Sequence, residues 1–168
     1  DDILGYATFS EGFREGGPNA PALLGNYPLS FGPDFVKNFE AGLKTQLFDK
    51  QLTLNGSAYY MKWDDIQVSQ TDPTGAFAYT INAGKARLIG FELEGSVRPR
   101  ALPGFHANFS TRISGQELTE DNPLAVGPAG DPNAGRKGDR IPGTSAFSAN
   151  LGVQQSFPLG ALSGYVRG

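Results

Sequence analysis

The sequence has no cysteine, one histidine and one tryptophan among its 168 residues. Without cysteine the chain has no disulfide framework and no thiolate chemistry, and a lone histidine has no second imidazole with which to hold a metal ion. No run of 18 apolar residues occurs, which excludes a membrane-spanning helix. Charged residues make up 18% of the chain and the net charge is -3, so the chain lacks the excess of cations that general nucleic-acid binding needs.

Glycine and aromatic residues are plentiful instead: the chain holds 23 glycines and 11% aromatic residues, and its mean hydropathy is -0.30. Apolar and polar residues alternate with a period of two in residues 3–13, 38–48, 52–60, 89–98, 105–114, 147–157 and about 162–168. Successive residues of a strand point to opposite faces, so each stretch predicts a strand with one apolar and one polar face. No helical period persists for three turns, and we therefore predict an all-β chain of about seven strands.

The connections between these stretches alternate in length. Short turns at residues 49–50, 99–104 and 158–161 alternate with long polar segments at 14–36, 69–79 and 115–143. Short turns at one end and long loops at the other are typical of an antiparallel up-and-down transmembrane β-barrel. The strands are also long enough, because a tilted strand crosses a bilayer in about 9–11 residues. A soluble sheet whose aromatic residues form a core is the alternative that periodicity leaves open.

The polar face carries charged residues in the middle of the predicted strands. We predict that five of them face the lumen of the barrel: Glu40, Lys44, Glu92, Glu94 and Arg112. The alternative is an ordinary sheet face in contact with water.

No catalytic group of residues emerges from the sequence. Asp64 and Asp65 are adjacent, and in a strand their carboxylates point to opposite faces and cannot converge on one atom. The segment 130–137 has glycines and a lysine but lacks the spacing and the following helix of a phosphate-binding loop. We therefore expect no enzymatic activity, no metal site and no cofactor.

Four segments resemble the C-terminal barrel region of TonB-dependent outer-membrane receptors. They are residues 6–14, 33–44, 63–68 and 82–94. The last of these begins Asn82-Ala-Gly84-Lys85-Ala and continues to Glu92 and Glu94, and it is similar to the family strand N-A-G-K-A-x-x-x-G-x-E-x-E. The four segments occur in order and at the spacing of barrel hairpins.

The resemblance implies a bacterial outer-membrane barrel of 22 strands, plugged by an N-terminal domain, that imports iron–siderophore complexes, cobalamin or glycans. It implies three partners: outer-membrane lipid, the TonB complex contacted through a missing N-terminal region, and a small solute such as a metal chelate or glycan. We expect residues 1–168 to form a single region of such a barrel without its plug, and to transport nothing alone.

The loops contain the candidates for solute capture, because external loops of the family close over the bound solute. These candidates are Arg14, Tyr27, Trp63, Arg136, Lys137 and Arg140. Cations suit anionic chelates, and aromatic rings stack on sugars or catecholates. Two other functions stay open: a passive porin-type barrel, and a soluble all-β carbohydrate-binding module.

Overall fold

The computed structural model describes residues 2–19, 28–71, 77–122, 135–141, 143–160 and 162–168. Within them the strands are β1 (Asp2–Arg14), β2 (Gly17–Pro18), β3 (Ser30–Phe31), β4 (Asp34–Leu47), β5 (Leu52–Asp64), β6 (Gln67–Thr71), β7 (Ala78–Asn82), β8 (Ala86–Val97), β9 (Phe105–Leu118), β10 (Phe147–Leu159) and β11 (Leu162–Arg167). No helix in these ranges is both long and apolar enough to cross a membrane.

Seven of the strands form one antiparallel sheet in the order β1-β4-β5-β8-β9-β10-β11. Each of these strands pairs with the next long strand along the chain, which confirms the predicted all-β, up-and-down arrangement. The sheet is open, with β1 and β11 at its two edges. The prediction of a partial sheet of about seven strands is therefore confirmed.

The strands extend further into the predicted loops than the alternation indicated. The β4 strand begins at Asp34, β9 continues to Leu118, and two small hairpins, β2-β3 and β6-β7, form at the long-loop end. Residues 14–36, 69–79 and 115–143 are thus partly strand, and their prediction as loops was wrong in those parts. Alternation reports a difference between two environments, and it fades where both faces are polar although the backbone ladder continues.

The register places side chains in straight rows across the sheet. One such row consists of Ala7, Ala41, Ala58, Phe91, Ile113 and Phe147, each directly opposite the next. We call the side of the sheet that carries this row the apolar face, and the other side the polar face. The period of two keeps every second residue of each strand on the same face.

The apolar face is largely uncovered. Phe9 is 58% exposed and Leu151 is 73% exposed, and the buried hydrophobic residues of the described chain are only Ile66, Ala83 and Ala86. A two-layer soluble sheet would cover this face with a second sheet, but no strand in the described ranges packs on it. A contiguous apolar surface of this kind marks contact with a membrane or a partner.

Amide side chains hold the loops together at the long-loop end. The side-chain amide of Gln67 donates hydrogen bonds to the carbonyl oxygens of Glu15 (2.9 Å) and Gly32 (3.0 Å). Asn82 donates to the carbonyls of Gly32 (3.0 Å) and Asp65 (2.8 Å). Because carbonyls outside the ladder have no strand partner, these side chains satisfy the backbone where the sheet stops doing so.

The short-turn end depends on left-handed backbone. Phe48, Asp49 and Lys50 have φ angles of 54°, 52° and 65°, and Gly104 and Gly160 have φ of 81° and 63°. A Cβ atom added at Gly104 would lie 2.1 Å from the carbonyl oxygen of Ser156, whereas one at Gly160 would meet nothing within 4 Å.

Comparing alanine substitutions at these two glycines separates the energetic cost of left-handed backbone from the cost of steric overlap. We expect Gly160→Ala to lower the free energy of unfolding by about 1 kcal/mol, the cost of left-handed backbone for an L-residue. Gly104→Ala should cost about 1–3 kcal/mol more, because the methyl group also displaces the β10 backbone. Urea titration of the lipid-reconstituted protein measures both, and equal losses in the two variants would show that the contact with Ser156 is irrelevant.

Candidate functional site

The polar face forms a groove of about 560 Å³ across six neighbouring strands. Its polar lining residues are Tyr6, Glu40, Lys44, Asn55, Ser57, Glu92, Glu94, Ser110, Thr111, Arg112 and Ser148. We call this feature the polar-face groove. It exists because β1, β4, β5, β8, β9 and β10 present polar residues at neighbouring positions of the register.

Short contacts between neighbouring strands organise the groove. The Tyr6 hydroxyl donates a hydrogen bond to Glu40 Oε1 (2.6 Å), and Lys44 Nζ lies 5.6 Å from the centre of the Tyr6 ring. Asn55 Nδ2 donates to Glu94 Oε1 (3.0 Å). Carboxylates of β4 and β8 are thus held by neutral donors from β1 and β5, and Lys44 faces an aromatic ring.

Arg112 has an unpaired nitrogen in the groove. Within the described ranges its Nε atom is buried and has no hydrogen-bond partner, and the directly opposite residue on β8 is Glu92. A buried guanidinium nitrogen without a partner is costly. Arg112 therefore gains a partner when an anionic or carbonyl-bearing solute binds in the groove.

All five residues predicted to face the lumen, namely Glu40, Lys44, Glu92, Glu94 and Arg112, line this one groove. Three carboxylates and two cations suit a polar solute with several hydrogen-bonding groups. That the groove faces the lumen of a closed barrel stays a prediction, because the sheet described here is open.

A second polar cluster lies at the long-loop end, around Asp34. This carboxylate is only 1% exposed. Arg14 forms an ion pair with it and donates from Nε to both carboxylate oxygens at 3.0 Å. Trp63 Nε1 donates to Oδ2 (3.0 Å) and the backbone N–H of Gln67 donates to the same oxygen (3.3 Å). We call Arg14, Asp34, Trp63 and Gln67 the Asp34 cluster.

The Arg14 guanidinium is the main cause of the low pKa of the Asp34 carboxyl. Burial opposes the shift, and the hydrogen bonds from Trp63 and Gln67 assist it, so that the pKa falls from its usual 3.8 to about 2. Arg14 also lies 5.4 Å from the centre of the Trp63 ring. Two of the predicted solute-binding residues, Arg14 and Trp63, are therefore engaged with Asp34 in this structure.

The remaining loop candidates lie apart from both features. Arg140 forms an isolated β-bridge with Glu117 at the end of β9, and the backbone N–H of Lys137 donates to Asp121 Oδ1 (2.7 Å). The backbone N–H of Arg136 donates to Asp139 Oδ2 (2.7 Å). Because β8 lies between β9 and β5, which carries Trp63, these residues lie apart from the Asp34 cluster in the described part of the chain. Tyr27 lies outside the described residues.

Sequence reasoning missed Asp34, Gln67 and Asn82. The alternation covers residues 3–13 and 38–48, so it assigned both Arg14 and Asp34 to the long segment 14–36 and did not show that they lie opposite each other. That pairing depends on the register of β1 against β4, which sets Arg14 against Asp34.

Comparisons with known proteins agree with this geometry. A family model described as "TonB dependent receptor-like, beta-barrel" matches residues 1–168. Among solved structures, the ferric yersiniabactin uptake receptor FyuA from Yersinia pestis matches 99% of this chain with a TM-score of 0.74 and 23% sequence identity. The chain spans 23% of the length of that receptor. At this level of identity the likeness shows a shared fold.

The low pKa of Asp34 predicts a pH dependence of stability. A carboxyl whose pKa is lower when folded contributes stability above its unfolded pKa and loses that contribution as the pH falls through its folded pKa. We expect the ionised Asp34 to contribute on the order of 2 kcal/mol at pH 6, and this contribution to disappear between about pH 4 and pH 2. The variant Asp34→Asn should lack this part of the pH dependence.

Asp49→Asn is the matched control, because Asp49 also pairs with an arginine, Arg100 at 2.9 Å, but both side chains are mostly exposed. Exposed pairs contribute little. Urea titrations of the three reconstituted proteins between pH 6 and pH 2 give the comparison. Parallel pH curves for the wild type and Asp34→Asn would contradict the assignment.

Proposed function

Because the chain belongs to the family of TonB-dependent receptor-like β-barrels, we propose that it forms part of the wall of a receptor that takes up a small solute. Proteins of this family lie in the bacterial outer membrane, which is where this chain is located. In the proposal, residues 1–168 are one continuous region of a larger barrel, and a plug domain lies elsewhere in the full receptor.

The observation that carries the proposal is the division of one sheet into two opposite environments. The apolar face exposes large side chains such as Phe39, Leu43 and Leu151, and the polar-face groove contains five charged residues. The wall of an outer-membrane barrel has this construction, with an apolar band toward lipid and a polar interior. The groove then lies along the path of the solute.

The chemistry of the groove favours a solute with several polar groups. Lys44 and Arg112 suit anionic oxygens, and the carboxylates with Tyr6 suit hydroxyl and amide donors. A metal chelate has this character and is our first choice, and the fold shared with a ferric yersiniabactin receptor supports it. A glycan is the second choice.

Uptake of this kind involves no bond chemistry on the solute, so we assign no catalytic residue and no cofactor. The TonB complex is the proposed source of energy, contacted through a region outside this chain. A passive porin-type barrel has the same two-faced wall but needs no energy. The experiment therefore measures whether uptake depends on an energy source.

The test is energised uptake by the full-length receptor in cells. We expect accumulation of at least one probe from a panel of ⁵⁵Fe-labelled catecholate, hydroxamate and phenolate chelates and labelled oligosaccharides, and its loss when an uncoupler removes the proton gradient. Lys44→Gln with Arg112→Gln should lower uptake about tenfold or more, because charge-assisted hydrogen bonds to the solute are lost.

The control variant is Lys50→Gln with Arg100→Gln, which removes the same charge at the short-turn end. It should leave uptake unchanged. Equilibration that is insensitive to the uncoupler would support a passive porin, and failure of every probe to accumulate would contradict the proposed function.

A further inference from the structure

A row of charged residues crosses the apolar face near the long-loop end. Its members lie directly opposite one another on five neighbouring strands: Glu11, Lys37, Lys62, Arg87 and Glu117. Arg140 extends the row through its bridge with Glu117. We call Lys37, Lys62 and Arg87 the cation row. Charges on this face are unexpected, because no described strand residue in the rows between this one and the short turns is charged; Asp64, opposite Phe35, is a further charge in the next row toward the long loops.

The three cations repel one another. Directly opposite residues of an antiparallel pair have Cβ atoms about 4.5–5.5 Å apart, and like charges there are destabilising. Two carboxylates pair with the ends of the row: Glu11 is 3.7 Å from Lys37 Nζ, and Glu117 is 2.6 Å from Arg87 Nη2. Asp64 lies on the same face two residues beyond Lys62. No described residue forms an ion pair or hydrogen bond with the exposed Lys62 side chain. Lys62, at the centre of the row, is therefore a cation without a paired carboxylate in the described part of the chain.

The cation row lies near the long-loop edge of the apolar face, with the pair Phe13 and Phe35 one row further out. Two residues further along each strand toward the short turns, the next row contains Phe9, Phe39, Tyr60 and Ile89, and the rings of Phe9 and Phe39 are 5.0 Å apart. Aromatic side chains of barrels collect at the level of the lipid headgroups. Cations one row beyond them are at the height of the lipid phosphates.

An apolar crevice begins one row from the cations, toward the short turns. It has a volume of about 610 Å³ and lies between the rings of Phe9, Phe39 and Tyr60, with Ala41 and Ala58 at its floor. The small alanine side chains leave room that larger residues in neighbouring rows fill. Its apolar lining suits a hydrocarbon chain, and the positive charge one row away suits an anionic group on the same molecule.

We propose that the cation row and this crevice form a binding site for a phosphorylated lipid of the outer leaflet. The lipid phosphate lies over Lys62 between Lys37 and Arg87 and relieves their mutual repulsion. An acyl chain of the same molecule occupies the crevice below. Free phosphate is not the proposed occupant, because it would leave the apolar part of the site empty.

The test measures lipid binding to the purified full-length receptor in neutral detergent micelles, by native mass spectrometry and by titration calorimetry. The probes are lipid A with two phosphates, its monophosphoryl form, and inorganic pyrophosphate. We expect lipid A to bind most tightly, the monophosphoryl form less tightly, and pyrophosphate not measurably. Pyrophosphate binding as tight as that of lipid A would overturn the lipid assignment.

The triple variant Lys37→Gln, Lys62→Gln, Arg87→Gln should bind lipid A at least about tenfold more weakly, since each basic residue near an anionic surface contributes about 1 kcal/mol. The control variant Lys50→Gln, Arg98→Gln, Arg100→Gln removes three cations at the short-turn end and should bind like the wild type. Equal loss in both variants would attribute binding to net charge and overturn the proposal, as would unchanged binding in the first variant.

Filling the crevice tests its role separately. Ala58→Phe should weaken lipid A binding about tenfold while leaving the folded, heat-modifiable form of the barrel intact on gels. Unchanged lipid A affinity in this variant would contradict the acyl part of the site. The outcome is independent of the uptake assay, because the cation row and the polar-face groove lie on opposite faces of the sheet, so a failed lipid site leaves the uptake proposal standing.

Discussion

The unbroken antiparallel ladder from β1 to β11 is the constraint on which the rest of this chain depends. Inside a bilayer no water is available to backbone N–H and C=O groups, so each must find its partner on a neighbouring strand. A ladder that satisfies this condition allows no slip of one residue, since such a slip would move every apolar side chain to the other face. The rows of side chains, and both proposed sites, follow from that register.

The same constraint explains why the described residues form almost no hydrophobic core. Apolar residues such as Leu43 and Leu151 remain exposed on one face because lipid, rather than a second layer of protein, is the environment that covers them. Specific polar contacts are instead concentrated at the long-loop end, where Asp34 is buried under Arg14 and Trp63 and where Gln67 and Asn82 bind loop carbonyls. These polar contacts, rather than a hydrophobic core, order the loops.

Odd and even positions along a strand point to opposite faces of the sheet, and this divides the cations of the chain into two groups. Lys37 and Lys44 belong to the same strand, yet they differ by an odd number of residues and lie on opposite faces. Lys44 and Arg112 are therefore directed to the polar-face groove, and Lys37, Lys62 and Arg87 to the headgroup level outside. One sheet can hold a solute on one side and a lipid on the other without competition between them.

The sequence by itself determined the period of the strands, their approximate number, the alternation of short and long connections, and which residues share a face. Those properties depend on local geometry, in which each residue points opposite to the one before it. Only the tertiary structure decided that Arg14 meets Asp34, that Lys62 lies between Lys37 and Arg87, and that parts of the predicted loops form β2-β3 and β6-β7. The first two of these contacts join residues far apart in the sequence: Arg14 and Asp34 are 20 positions apart, and Lys62 and Arg87 are 25. Alternation restricts the pairing to alternate registers, and the choice among these follows from the turns and packing of the whole sheet.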